Sequence, residues 1–125
     1  MDISEKYIKM CEKAEEIQKE WKPQKADLYL ACTLEARAWR YYGFNEMSWC
    51  MWKIWLPRQD QLQEMFQLDK NSHYTQMIDI IDNYYHVWID YIWELQSMEQ
   101  FMLSCLMKEK FNKIWDDKKE EWVKE

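Results

Sequence analysis

One glycine, Gly43, and two prolines stand in a chain of 125 residues. Phosphate-cradling loops, dinucleotide fingerprints and nucleophile elbows all need glycine, for positive φ or for close approach of backbone to ligand. Gly43 alone builds none of them. No run of about 18 apolar residues occurs, so no membrane-spanning helix is expected. Residues 1–21 carry charge throughout and lack the apolar stretch of an export signal. Cys11, Cys32, Cys50 and Cys105 lie far apart with no C-x-x-C pair, which excludes the usual redox and zinc spacings. They read as reduced cytoplasmic thiols that behave as small hydrophobes. With two histidines and no recognisable nucleophile–base pattern, the sequence predicts no catalytic residues and no cofactor.

Aromatic residues are abundant instead: nine Trp, eight Tyr and four Phe. That load argues against disorder. The length suits one domain with its own core. Seventeen basic against 23 acidic residues leave a net charge of −6, which disfavours general binding to nucleic acid or anionic lipid. An acidic surface suits docking on a basic face of another protein.

The pattern along the chain predicts an α+β fold, mostly helical, as a single domain over 1–125. It has about four helices packed with a small antiparallel sheet or hairpin between the first and second helices. Residues 4–21 read as an N-terminal helix, capped by Asp2 or Ser4 and ended by Pro23. Tyr7, Met10, Cys11, Ala14, Ile17 and Trp21 form its apolar stripe. Residues 26–56 read as an aromatic β-like insert, with strands near 28–34, 37–42 and 48–56 and a turn at Gly43 and Asn45. A helical alternative stays open there, because Trp49, Trp52 and Trp55 are spaced by three. Residues 57–115 read as a helical region, with helices over 58–68, 71–95 and 97–115 and a charged tail over 116–125. In the middle helix, Met77, Ile81, Tyr84, Trp88, Tyr91 and Leu95 form one stripe. Ile78, Tyr85, Ile89 and Ile92 form a second beside it, so the helix is expected to be buried except for one polar strip. Ser97 with Gln100 matches a capping box.

Two groupings of residue types invite chemistry. Asp82 and Asp90 each lie one helical turn from His86, and Asp79 and Glu94 continue the strip. Carboxylates and imidazole at that spacing can hold a cation or move a proton. No further His or Cys is spaced to join them, so the strip reads first as a solvent face, with Asp82, His86 and Asp90 as weak metal candidates. Arg37, Trp39, Arg40, Tyr41, Tyr42 and Phe44 mix cations with aromatics. That mixture suits packing of a small sheet on helices, a protein interface, or stacking of nucleic-acid bases. Trp55, Arg58, Gln59 and Asp60 form a second candidate contact region, where a bond between Arg58 and Asp60 is the simpler alternative.

Three stretches carry a resemblance: YIKMCEKAEEIQ at 7–18, WLPRQDQLQEM at 55–65, and SMEQ at 97–100 continuing to MKEKF at 107–111 and Trp115. Together they resemble a family of small uncharacterised proteins encoded by phages and prophages of Gram-positive bacteria, clostridial relatives especially. The W-L-P-R-Q-D-Q-L-Q segment is the most specific. The likeness covers about half the chain and leaves out 26–54 and 66–96. The tail DDKKEEWV at 116–123 looks like an expanded form of a shorter acidic ending. The family brings no known reaction and so no catalytic residues. The resemblance implies a phage accessory protein in the bacterial cytoplasm that binds a host or phage protein. Inhibition of a host defence nuclease, as by anti-CRISPR proteins, is one such role. A nucleic-acid or nucleotide-binding accessory protein using the aromatic–Arg segment is the alternative.

Overall fold

A computed structural model describes residues 2–32, 37–41, 52–67, 73–87 and 94–124. The fold is α+β. Among the described residues there are five helices and two small antiparallel sheets, with helix predominating. Backbone contacts group the chain into two compact units, residues 3–57 and residues 58–125 together with 1–2.

In the unit of residues 3–57, α1 spans Glu5–Lys13 and α2 spans Glu15–Glu20. Ser4 caps α1 by accepting from the Tyr7 N–H at 3.2 Å, the cap expected from its hydroxyl. The stripe read from the sequence is buried at Tyr7, Met10, Cys11, Ala14 and Ile17. The single helix over 4–21 is corrected, because the backbone leaves helical geometry at Ala14 (φ −83°, ψ 69°). Pro23 follows the last turn, and Trp21 is already extended (ψ 121°).

Strands β1 (Leu28–Cys32), β2 (Arg37–Tyr41) and β3 (Trp52–Trp55) form the larger sheet in the order β2-β1-β3, all antiparallel. Leu30 faces Trp39 on one side and Ile54 on the other. Strand geometry therefore wins over the helical alternative for the described part of 26–56. Leu28, Tyr29, Leu30 and Ala31 are all buried. Successive side chains point to opposite faces, so the central strand is covered on both. The turn at Gly43 and Asn45, like Tyr42, Phe44 and Trp49, lies outside the described residues.

The edge of β3 is closed by a side chain. The Gln18 amide donates from Nε2 to the Trp55 carbonyl and accepts at Oε1 from the Trp55 N–H, both at 2.9 Å. It thus does for one residue what a neighbouring strand would do. The same Nε2 donates to the Cys11 carbonyl at 3.0 Å, near the break between α1 and α2. Tyr7 donates from its hydroxyl to the Pro57 carbonyl at 2.6 Å. The buried Asp27 carboxylate accepts from Trp21 Nε1 and from the Gln24 N–H, each at 2.9 Å. Trp21 stacks on Trp55 with ring planes 4° apart and tilts against Tyr29.

In the second unit, α3 spans Gln59–Glu64, α4 His73–Val87 and α5 Met98–Phe111. Strands β4 (Lys113–Asp116) and β5 (Glu121–Lys124) pair as a hairpin. Helix α5 packs against α3, α4 and β4. It is buried at Gln100 and continuously from Met102 to Met107. Ser97 accepts from the Gln100 N–H at 3.1 Å, the half of the capping box that fixes the helix start. The reciprocal half is diverted, since Gln100 Oε1 accepts from the Gln96 N–H. The Asp2 carboxylate accepts from Ser97 Oγ and Gln100 Nε2 and ties the chain start to this cap.

The last helix stops at Phe111 rather than running to Trp115. Asn112 takes a left-handed cap (φ 54°), the conformation usual at helix ends. Residues 113–124, expected as the helix end and a charged tail, instead form the hairpin. Trp115 pairs with Trp122 across it, ring centroids 5.3 Å apart. Asp116 Oδ1 accepts from the Lys118 and Lys119 N–H groups, and Glu120 closes the turn at φ 55°. Ala26 and Gln67 also adopt positive φ. A chain with one glycine places ordinary residues where glycine is commonest, at about 1 kcal/mol or more each.

Candidate functional site

Helix α4 carries the surface with most functional content. Met77 and Tyr84, seven residues apart, are buried, and Tyr84 meets Phe101 of α5 edge-on at 5.6 Å. The neighbouring apolar stripe behaves differently. Ile78 is 64% and Tyr85 40% exposed, with Ile81 half-buried between them. The expectation that only a polar strip of this helix reaches solvent is thus corrected. Among the described residues, α5 packs on the Met77 and Tyr84 face, and the second stripe lies outside that contact. Ile89 and Ile92 of the same stripe lie outside the described residues.

Asp79 and Asp82 flank the stripe and are exposed. His86 Nε2 lies 3.1 Å from Asp82 Oδ1, both side chains 68% exposed. The His86 ring also meets Tyr85 edge-on. This part of the strip is a solvated surface contact, worth little to stability. Asp90, the third weak metal candidate, lies outside the described residues, and no group of three potential metal ligands occurs among those described.

The other sequence-predicted contacts divide. Arg37, Trp39, Arg40 and Tyr41 form β2, an edge strand of the larger sheet, with Arg40 in register with Tyr29. Trp55 is 5% exposed. It sits in the aromatic core of its unit, so its ring offers little surface to a partner. Its indole Nε1 is buried with no hydrogen-bond partner. Arg58 and Asp60 form the local pair foreseen as the simpler alternative, Nε to Oδ1 at 3.1 Å, on an exposed helix start. Gln59 beside them is half-buried. Gln61 Oε1 accepts from the Arg58 N–H and completes the turn.

An open cleft of about 210 Å³ lies between Glu94 and the C-terminal hairpin, lined by Ile114, Trp115 and Asp117 among others. Trp115 donates from Nε1 to Asp117 Oδ1 at 2.9 Å, which occupies the polar edge of the indole. On α5, burial pushes the Cys105 thiol up to about 12, and the charge of Glu109 adds to the shift. A thiol so protonated is a poor nucleophile. Among the described residues, no helix is long and apolar enough to cross a membrane. No protein-family model, curated protein or solved structure matches the chain.

Ile78 and Tyr85, expected in a buried stripe, are surface residues. Their signal was the adjacency of Asp79 and Asp82, which leaves no wide polar arc between them and solvent.

Proposed function

We propose that the chain acts by binding another protein, as an accessory protein of a phage or prophage in the bacterial cytoplasm. The target class is a host defence component such as a nuclease. The observation that carries the binding reading is the exposed apolar stripe of α4, Ile78 and Tyr85 with Ile81, rimmed by Asp79 and Asp82. Exposed apolar residues gathered on one face mark interaction surfaces more often than residues scattered singly. The W-L-P-R-Q-D-Q-L-Q resemblance supports the phage origin. Arg37, Trp39, Arg40, Tyr41, Tyr42, Phe44 and Gln59 are further candidate contacts. The finer fold plan belongs to the same reading: about four helices packed with a small antiparallel sheet or hairpin between the first and second helices.

The test is capture of partners by the tagged full chain from a lysogenic host lysate, followed by reconstitution of any complex from purified proteins. A stoichiometric complex supports the reading. Recovery of none at micromolar protein overturns it.

A further inference from the structure

We infer that the exposed face of α4 docks an amphipathic helix of the partner, one whose apolar stripe is flanked by lysine and arginine. The inference rests on the protein-binding reading above and names the chemistry of the partner. Ile78, Ile81 and Tyr85 stand at i, i+3 and i+7, so they form a ridge of roughly 10 Å along two turns. A ridge of that spacing meshes with the groove between side-chain rows of a second helix.

Charge selects among possible occupants. At 100° per residue, Asp82 and Asp79 follow Ile78 around the helix on the side away from buried Met77 and Tyr84. Both are exposed, and the whole chain carries −6. A second copy would bring the same carboxylates to the same ridge, and a nucleic acid would bring phosphates. A cationic helix meets the ridge with its apolar stripe and the aspartates with its basic flank, which favours encounter and orientation.

The probe is a fluorescent 18-residue peptide of leucine and lysine in helical register, with glutamate replacing lysine in the control peptide. Each is titrated into the full chain by anisotropy. The lysine peptide binds, more weakly as salt rises, and the glutamate peptide does not. Ile78→Ala and Tyr85→Ala each weaken binding about tenfold, as expected for loss of one well-buried contact. The Asp79→Asn, Asp82→Asn double variant weakens it about threefold and flattens the salt dependence. Thermal melts of each variant confirm the fold, and Tyr85→Ala serves if Ile78→Ala does not fold.

Equal binding of both peptides overturns the inference, as does unchanged binding by the Ile78 and Tyr85 variants. A dimer in sedimentation that Ile78→Ala dissolves also overturns it, in favour of a second copy. A captured cellular partner that binds Ile78→Ala as tightly as the parent refutes the α4 surface and leaves the protein-binding reading standing. Variant-sensitive binding of the lysine peptide with no recoverable partner supports the surface and refutes that reading.

Discussion

Helices α4 and α5 are nearly the same length, 15 and 14 residues, and lie in the same unit. α5 carries Lys108, Glu109 and Lys110 in its second half yet buries an unbroken run from Met102 to Met107. α4 offers two apolar stripes and has Met77 and Tyr84 buried while Ile78 and Tyr85 remain exposed. The difference is in the neighbours. α5 has α3, α4 and β4 packed around it, so even its polar Gln100 and Ser104 are enclosed. Burial follows the elements packed against a helix, and where a helix has two apolar stripes those elements also select which one turns inward. The surplus apolar face of α4 is what makes it a candidate for binding.

The largest contrast is chemical. At mildly alkaline pH, alkylation of Cys105 should be about a thousandfold slower in the folded chain than in denaturant, because its pKa moves from 9.0 to about 12. Peptide mapping by mass spectrometry reads the rate. The same shift has a sign for stability. Between pH 9.0 and about 12 the unfolded thiol ionises while the folded one stays protonated, so this contribution falls as pH rises through that window. Alkylation at the unfolded rate would show that α5 is not enclosed.

Next, Leu103→Ala should cost about 2–5 kcal/mol in urea unfolding, since the fully buried side chain leaves a cavity. Ser97→Ala should cost about 1 kcal/mol through loss of the cap on α5. Ser104→Ala should be neutral or stabilise by up to about 1 kcal/mol, because the buried Oγ has no hydrogen-bond partner. Smallest of all, Ile78→Ala should change stability by no more than about 0.5 kcal/mol, as exposed positions do. A loss near that of Leu103→Ala would mean that the Ile78 face is already covered.

Much of the first unit was legible because its signals are local. The stripe from Tyr7 to Ile17, the Ser4 cap, the stop at Pro23 and the three strand segments all depend on neighbours in sequence. The break at Ala14 was not legible, because Gln18 bridges Cys11 to the backbone of β3, a partner 37 residues away. The same holds for the Asp2 link to the α5 cap, which spans 95 residues or more. The hairpin over 113–124 was missed for another reason. Its sequence is charged and short, and the Trp115–Trp122 pair that holds it becomes visible only once Asn112 has ended the helix.

At the candidate site the division runs the same way. Periodicity alone placed Ile78 and Tyr85 on one stripe of a helix and Asp79, Asp82 and His86 beside them, because a helix repeats every 3.6 residues whatever surrounds it. Aromatic content marked residues 37–42 as a strand, and 37–41 form β2. Which stripe meets the core, and which is left to solvent, was decided by tertiary structure. Packing is a property of the neighbours brought up from elsewhere in the chain, and hydrophobic burial acts on whatever area they happen to cover. So Trp55, which composition marks as a hot-spot residue, is enclosed against Trp21, and Ile78, which pattern marks as core, stands exposed.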